Sequence, residues 1–279
     1  MTRVRALVLG GGGLTGIGWM WGMLAGLAEE GVDLGAADLV IGTSAGSVVG
    51  AQVASGTDPR DRYPLQLADP GGEVAARMGP LGMARLGWAV LRTRDAAQAG
   101  RNLGRVALAA RTVPASARRA VIAARLPVHT WPERRLLITA VDVDSGERTA
   151  FDRESGVDLV DAVTASCAVP GVWPPVPIGG RRYIDGGVRS PANADLAAGA
   201  ERVVILAPLI RGFGPITAVT RQAGELRRRA RVALVQPDAA ALRAIGRNVL
   251  DPARRAPAAR AGMAQAPSAV AEIAAAWNG

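Results

Sequence analysis

The first part of the chain contains two short apolar runs, and each ends in a glycine-rich turn that leads into a longer apolar segment. Residues 4–9 form the first run, and residues 17–30 beyond its glycines predict a helix that ends at Gly31. Residues 38–41 repeat the arrangement, followed by a turn and a predicted helix over residues 47–54. Because buried parallel strands are continuous apolar runs connected by helices, the two units predict an α/β fold with a parallel sheet covered by helices.

Further apolar segments predict the remaining elements of one domain over residues 1–279. The predicted strands are residues 135–141, 147–151, 183–184, 202–206 and 232–235, the first two joined by the turn Asp144-Ser145-Gly146. Helices are predicted over residues 158–166 and around Leu226. The proline-rich residues 173–177 predict a rigid loop. The tail from Asp251, rich in Ala, Arg and Pro, predicts a peripheral helix at most.

Residues 57–130 differ from the flanking segments because arginines recur there among Leu, Val, Ala, Met and Trp. This spacing predicts amphipathic helices inserted into the α/β core. Two interpretations of the insert stay open. It is either a solvated arginine face over a packed face, or a basic, apolar lid that touches a membrane surface or the acyl chain of a substrate.

The N-terminal residues 6–28 carry no charge and are long enough to cross a bilayer, or to act as a signal peptide behind Arg3 and Arg5. The glycines argue against both. Residues 10–13 are consecutive glycines, which predict a turn, and each glycine inside a helix costs about 0.5–1 kcal/mol relative to alanine. We therefore expect a cytoplasmic protein that visits the inner membrane surface.

Composition narrows the classes of function. The chain is 49% hydrophobic and 20% charged, with a mean hydropathy of +0.17, so it is expected to fold. Its net charge is +9, and all 33 basic residues are arginine, which suits anionic lipid head groups or nucleic acid. An all-Arg, Ala-rich composition is also typical of a GC-rich genome. The chain has no zinc-finger pattern, no basic region with heptads and no aromatics interleaved with arginine, so nucleic acid is not an expected partner.

Two rare residue types restrict the chemistry. Cys167 is the single cysteine, so no internal disulfide can form. His129 is the single histidine, whereas most metal sites and the Ser-His-Asp triad use histidine. The acidic residues show no metal-ligand spacing, and Asp142 and Asp144 fit a hairpin turn better. The sequence thus predicts no metal and no cofactor, and it does not indicate an oligomeric state.

The turn after the second predicted strand has the spacing of a nucleophile elbow. Gly42-Thr43-Ser44-Ala45-Gly46 lies between an apolar run and a helix, a setting in which a tight turn raises a serine hydroxyl above the sheet. The small Gly42 and Gly46 permit that backbone, and the N–H of Ala45 then faces the reacting carbonyl. In the alternative interpretation, Ser44 only caps the helix.

The glycines after the first strand allow two interpretations. Gly11-x-Gly13-x-x-Gly16 matches the dinucleotide fingerprint of a Rossmann fold, which requires an acidic residue about 20 positions on, at the end of the second strand. Asp33 and Asp38 come before the apolar core of that strand, and the elbow occupies its end, so this interpretation lacks its ribose contact. In a hydrolase the same glycines present unhindered N–H groups to the oxyanion of acyl transfer.

A serine nucleophile needs a base, for which the chain offers two candidates. His129 lies in a connecting loop before a strand, where a histidine is more often a solvated surface residue. Asp185 follows a predicted strand and precedes Gly186 and Gly187, which would hold its carboxylate on a tight turn with little steric cover. Asp185 is therefore the better candidate, although an Asp before glycine also commonly closes a turn by bonding its own backbone.

The glycine loop, the elbow and Asp185-Gly186-Gly187, in this order, together resemble the patatin-like phospholipase family. Residues 165–171 (ASCAVPG) and 185–189 (DGGVR) resemble it too, and the resemblance extends from residue 4 to about residue 207 except for the insert. It implies a three-layer α/β/α sandwich with a mostly parallel central sheet, here with the Arg-rich helical insert at about 57–130. It also implies a Ser-Asp dyad, with Ser44 as nucleophile, Asp185 as base, and Gly11, Gly12 and Gly13 as the oxyanion loop.

One position departs from the family pattern. The family commonly has Arg or Lys two residues after the last of these glycines, and this chain has Thr15, which bears on phospholipid preference but not on ester hydrolysis. The predicted function is hydrolysis of lipid acyl esters, of phospholipase A, lysophospholipase or esterase type, through an acyl-enzyme. Two alternatives stay open: a catalytically idle α/β module that binds an anionic ligand at the glycine loop, and, less favoured, a dinucleotide-binding protein.

Overall fold

The computed structural model describes residues 4–69, 71, 76, 79–91, 93–212 and 214–278. Within these residues, a single mixed sheet forms the centre of the fold. Its strands are β1 (Arg5–Leu9), β2 (Leu39–Thr43), β3 (Arg135–Asp142), β4 (Arg148–Phe151), β5 (Val176–Ile178), β6 (Arg181–Asp185), β7 (Arg202–Leu206) and β8 (Arg231–Val235). Their order is β5-β6-β3-β2-β1-β7-β8, with β4 paired to β3. Strands β3, β2, β1, β7 and β8 are mutually parallel, which confirms the predicted mostly parallel sheet.

The central strands are apolar on both sides because helices cover both faces of the sheet. Leu7 and Leu9 of β1 belong to the core on one face, and Ala6 and Val8 belong to a separate core on the other. All four side chains are fully buried. A strand that alternates between two cores must be apolar throughout, which explains the uninterrupted run in the sequence.

Helices form the two outer layers. The described helices are α1 (Gly13–Glu29), α2 (Ala45–Ala54), α3 (Pro59–Leu67), α4 (Pro80–Leu91), α5 (Ala96–Ala109), α6 (Ala115–Arg125), α7 (Leu159–Ser166), α8 (Val219–Leu226), α9 (Ala239–Ile245) and α10 (Arg255–Trp277). Helices α1, α2, α7 and α10 pack on one face, and α8 packs on the other with the 3-10 turn Ala194–Ala197. The arrangement is the expected three-layer α/β/α sandwich.

The insert contributes helices to both faces of the sheet. Helix α3 packs against α1 and α10, and α6 packs against α7, whereas α5 packs on β3 and β6 from the opposite side. The helices expected in this segment are therefore present. Residues 70, 72–75, 77, 78 and 92 of the insert lie outside the described residues.

The C-terminal tail differs most from its sequence prediction. Instead of a peripheral helix it forms α10, which packs along α1 more extensively than any other pair of described helices. Trp277 at its end is 1% exposed. A Cβ on Gly22 of α1 would overlap the carbonyl of Ala259, so this glycine permits close approach of the two backbones. A Cβ on Gly262 of α10 would likewise overlap the carbonyl of Trp19.

The uncharged N-terminal segment is divided among β1, the glycine turn and α1. Residues 14–27 of α1 are buried, and α2, α3 and α10 pack against this helix. Within the described part of the chain, no helix combines the length and the apolarity needed to span a membrane.

The proline-rich segment contains a short strand that the sequence did not predict. Val176 and Pro177, assigned to a rigid loop, belong to β5 and pair with Tyr183 and Arg182 of β6. Strand β5 lies at the edge of the sheet, where a proline, which lacks an N–H, is tolerated. The local pattern predicted a loop because the prolines outweighed the apolar residues between them.

Candidate active site

Ser44 occupies the turn between β2 and α2. Its φ of 54° and ψ of −118° are a strained combination for a residue with a side chain, at a cost of order 1–3 kcal/mol. The turn needs glycine nearby, since a Cβ on Gly46 would overlap the carbonyl of Leu9. Ser44 is at the N-cap position of α2, but its hydroxyl makes no capping hydrogen bond. The helix-capping alternative therefore does not describe this serine.

Three buried side chains hold the strained backbone of Ser44. The Ser44 N–H donates to Ser166 Oγ at 2.9 Å. The Ser44 carbonyl accepts from Ser47 Oγ at 2.6 Å and from Cys167 Sγ at 3.3 Å. Ser166 and Cys167 lie in the segment 165–171 that carries part of the family resemblance, but the sequence alone assigned them no function. Through these contacts, the segment stabilises the elbow.

The register of the sheet brings Asp185 to the level of Ser44. Thr43, the last residue of β2, pairs with Thr139 of β3. Asp185, the last residue of β6, pairs with Ala140, the next residue along β3. Asp185 and Ser44 therefore lie at the same edge of the sheet, where β1 and β2 end and where ligands bind in open α/β sheets.

Burial and hydrogen bonding have opposite effects on the pKa of Asp185. Burial raises the pKa of Asp185 to about 6, against the lowering effects of the Ser44 hydroxyl, the Gly187 N–H and the charge of Arg118. Oδ1 accepts the Gly187 N–H at 2.7 Å, so the turn-closing bond expected of an Asp before glycine is present. Oδ2 is buried and makes no hydrogen bond to any described residue. The Ser44 hydroxyl thus lies close enough to affect the pKa of Asp185, short of a formed hydrogen bond to Oδ2.

Several backbone N–H groups of the glycine loop and of the start of α2 are unused. Among the described residues, the N–H groups of Gly12, Gly13 and Ala45 have no hydrogen-bond acceptor. The N–H of Gly11 differs, because it donates to the carbonyl of Pro191 at 2.7 Å. Gly13 and Ala45 are also the first residues of α1 and α2, whose N-terminal dipole ends favour negative charge. N–H groups without an acceptor, at the positive ends of two helix dipoles, suit the stabilisation of a developing oxyanion.

A buried asparagine connects the two sides of the site, and the sequence did not reveal it. Asn193 is fully buried in the left-handed conformation, with φ 50° and ψ 39°. Its amide nitrogen lies 3.1 Å from the Thr43 hydroxyl and 3.2 Å from the Thr139 hydroxyl. The same nitrogen donates to the Gly186 carbonyl at 3.1 Å. Asn193 thereby links Thr43, the residue before Ser44, to Gly186, the residue after Asp185. Asn193 and Thr43 are 150 residues apart in the sequence.

Ser44 lines a cavity of about 20 Å³. Its apolar lining consists of Leu14, Ile17, Val169, Trp173 and Leu250. Arg118 and Arg125 of α6 also line it. A volume of about 20 Å³ accommodates roughly one water molecule, so an acyl chain can enter only if these side chains move.

His129 is not brought to the site. It is exposed, and its Nε2 lies 3.0 Å from the carbonyl of Ala123. Its neighbours Val128 and Thr130 line a groove together with Asp38, which precedes β2, so this groove lies at the edge of the sheet opposite to Ser44. Within the described residues, no three His, Cys, Asp or Glu side chains form a group that could hold a metal ion.

A sequence model of a family described as patatin-like phospholipase matches residues 7–198. The match covers more than half of the chain and includes the glycine loop, Ser44 and Asp185. The chain belongs to the patatin-like phospholipase family. Membership of this family supports the activity of a lipid ester hydrolase.

Two solved structures are similar to this patatin-like chain. VipD from Legionella pneumophila is 13% identical with a TM-score of 0.48, and the type III effector protein ExoU is 17% identical with a TM-score of 0.43. Both alignments cover 97% of this chain, but 67% of the VipD chain and 53% of the ExoU chain. The chain thus spans about two thirds of one and about half of the other. No curated protein sequence matches it.

Proposed function

We propose that this protein hydrolyses carboxylic esters of lipids through a Ser44–Asp185 dyad and an acyl-enzyme. The observation that carries the proposal is a strained serine beside a buried carboxylate whose pKa is raised to about 6. A carboxylate with an unperturbed pKa of about 3.9 is a poor base toward serine, whereas one near 6 is better matched to neutral pH. Strain of this kind persists only where the surroundings enforce it, as the contacts from Ser47, Ser166 and Cys167 do.

The chemistry follows in two half-reactions. The Ser44 oxygen attacks the carbonyl carbon while its proton passes to Asp185 Oδ2, and the N–H groups of Gly12, Gly13 and Ala45 stabilise the oxyanion. The ester C–O bond then breaks, and Asp185 returns the proton to the leaving alcohol. In the second half-reaction, water transfers a proton to Asp185 as it attacks the acyl-enzyme. The fatty acid leaves, and Ser44 recovers its proton.

The two other candidate functions account for less of the site. A catalytically idle module gains nothing from the strain at Ser44 or from a buried carboxylate beside it. A dinucleotide site needs an acidic residue at the end of the second strand to bind the ribose. Strand β2 ends at Thr43 and is followed directly by Ser44.

A fluorophosphonate probe tests the proposal through the pH dependence of labelling. We expect the probe to modify Ser44, at a rate that rises with pH through about 6 and levels off above about 7. The reason is that Asp185 accepts the serine proton only when ionised, and burial raises its pKa to about 6. Mass spectrometry of digested protein identifies the labelled residue, and gel fluorescence measures the rate from pH 4.5 to 8.5.

Two outcomes would contradict the proposal. The first is stable labelling at a residue other than Ser44. The second is a labelling rate at Ser44 that stays constant down to pH 4.5, because a base with a pKa of about 6 is then not involved.

We also propose that α4 contacts an anionic membrane surface. Leu81, Trp88 and Leu91 lie along one side of this helix and are 80%, 72% and 67% exposed, with the exposed Arg85 between them. The opposite side packs on α5 through Val90, which is 3% exposed. Apolar side chains interleaved with arginine fit insertion at the interface, where the arginine meets anionic head groups.

Vesicle binding tests this surface. The double change Leu81→Ser and Leu91→Ser should weaken binding to phosphatidylglycerol vesicles by about tenfold or more, because burying a leucine contributes roughly 1.5–3 kcal/mol. Binding of the unchanged protein should fall as salt rises and should be weaker on neutral phosphatidylcholine vesicles. Co-sedimentation measures all of these quantities.

A matched control uses two leucines on other helices. Leu65 and Leu242 are 53% and 56% exposed, and the double change Leu65→Ser and Leu242→Ser should leave vesicle binding within about twofold of the unchanged protein. If both double variants lose binding equally, or if binding ignores lipid charge and salt, α4 is not the membrane contact.

A further inference from the structure

One arginine of the insert is buried in the active-site cavity. Among the described residues, Arg118 is the one arginine that is buried, with 5% of its surface exposed. It lines the cavity together with Ser44 and Trp173. Its guanidinium carbon lies 4.0 Å from the centroid of the Trp173 ring, a cation–π contact. The contact with Trp173 holds this buried guanidinium at the wall of the cavity.

The charge of Arg118 reaches the groups around the nucleophile. It lowers the pKa of Asp185, against the larger raising effect of burial. It also lowers the pKa of Cys167, again against burial, and Arg125 acts on Cys167 in the same direction. The charges of α6 therefore act on the buried groups beside Ser44.

The spacing along α6 places two arginines in one row toward the cavity. Arg118 and Arg125 are seven residues apart, which is nearly two full turns, and both line the cavity. Arg119 points elsewhere, since its side chain is 45% exposed and bonds Asp161 at 2.5 Å. Neighbouring arginines on one helix are thus divided between the cavity and the surface.

The glycine loop itself supplies no cation. Thr15, two residues after Gly13, is uncharged and fully buried. Thr15 Oγ1 lies 3.3 Å from the carbonyls of Gly12 and Val249, to which it donates. Any anionic part of a ligand in this cavity would therefore meet the arginines of α6.

We propose that Arg118 is a specificity-determining residue that selects esters carrying a phosphate group close to the scissile bond. The proposal rests on the ester hydrolase function proposed above. A guanidinium binds phosphate through two parallel N–H···O bonds, and the Trp173 ring orients its plane. Arg125 adds a second positive charge on the same side of the cavity. An acyl glycerol phosphate has the required combination of ester and anion, whereas a neutral monoacylglycerol has only the ester.

The test compares two substrates with the same acyl chain. Release of octanoate from 1-octanoyl-glycerol-3-phosphate and from 1-octanoyl-glycerol gives a ratio of kcat/KM values for each protein. We expect the unchanged protein to prefer the phosphate ester by about 10- to 100-fold, the scale of hydrogen bonds to charged groups. Arg118→Gln should bring the ratio to about 1. Measurement at pH 8.5 keeps Asp185 ionised, and the ratio cancels effects of Arg118 on the dyad that both substrates share.

Arg119→Gln is the matched control, because it removes the same charge from the same helix outside the cavity. Its substrate ratio should stay within about threefold of the unchanged protein, as expected of an exposed ion pair. Arg118→Lys should give an intermediate ratio, because it keeps the charge and loses the bidentate geometry.

A second measurement does not depend on turnover or on the folding of a variant. Glycerol 3-phosphate should slow fluorophosphonate labelling of the unchanged protein, and glycerol should not. The proposal is overturned if the unchanged protein shows a ratio near 1, if Arg118→Gln and Arg119→Gln shift the ratio equally, or if glycerol 3-phosphate gives no protection. These failures leave the hydrolase standing as long as Ser44 is labelled and either ester is cleaved. Absence of both labelling and cleavage would instead remove the proposed function.

Discussion

Ser44→Ala is expected to reduce ester hydrolysis by about 10⁴-fold or more, because it removes the atom that forms the acyl-enzyme. The fold should be unaffected. Alanine occupies the same backbone, and the contacts that hold this turn come from the N–H and carbonyl of residue 44 rather than from its hydroxyl. Hydrolysis of a p-nitrophenyl ester measures the activity, and a thermal melt measures the fold.

Ser55→Ala is the control for this change. Ser55 lies at the other end of α2 from Ser44, and its hydroxyl makes no hydrogen bond to any described residue. The control variant should keep the full rate. Substantial hydrolysis by Ser44→Ala with an intact fold would show that another residue is the nucleophile.

Asp185→Asn is expected to reduce hydrolysis about as far as Ser44→Ala, while His129→Gln stays within about twofold of the unchanged protein. The amide keeps the shape of the carboxylate but cannot accept the serine proton. His129 is exposed and lies by the opposite edge of the sheet, so its imidazole has no contact with Ser44. A loss of roughly a thousandfold or more in His129→Gln, the scale for removing a triad member, would refute the dyad.

The same Asp185→Asn change should stabilise the protein at alkaline pH. The folded-state pKa of Asp185, about 6, is above its usual value of 3.8, so the folded protein loses stability as pH rises through about 6. Ionising this buried group costs up to about 3 kcal/mol, from a shift of about two units at 1.36 kcal/mol each. Asparagine does not titrate and avoids that cost.

Urea denaturation of both proteins at pH 4 and pH 8 measures the difference. The gain from Asp185→Asn should be near its full size at pH 8 and should shrink as the pH falls from about 6 toward 4. A variant that is inactive and equally destabilised at both pH values would indicate a structural role for Asp185 instead of a base.

Local physics accounts for the parts of the fold and the site that were predictable. The apolar runs of β1 and β2 are unbroken because both of their faces are buried. Each strand is therefore visible in the sequence as a series of consecutive apolar residues. The elbow was also predictable from adjacent residues. A Cβ on Gly46 would overlap the carbonyl of Leu9, so the turn at Ser44 requires a glycine two residues later. The turn at Asp185 is marked by Gly187, because the Asp185 carboxylate accepts the N–H of this glycine, two residues later in the chain.

Features that depend on distant partners were missed or wrong. The tail was assigned to the periphery because its alanines and prolines carry no strong helical periodicity, whereas α10 is determined by the glycines and backbone of α1. Strand β5 exists because β6 pairs with it. Asn193 had no local signal, because its partners Thr43 and Thr139 are 150 and 54 residues away.

The sequence by itself determined the α/β class, the order of the strands and helices other than β5 and the C-terminal helices, and the two turns that carry Ser44 and Asp185. Those features follow from steric and hydrophobic requirements within a few residues of each other. Only the tertiary structure decided how burial raises the pKa of Asp185, which N–H groups remain unused, and that Arg118 enters the cavity while Arg119 stays outside. These properties depend on solvent exclusion and charge, which act through space between segments that are far apart in the chain.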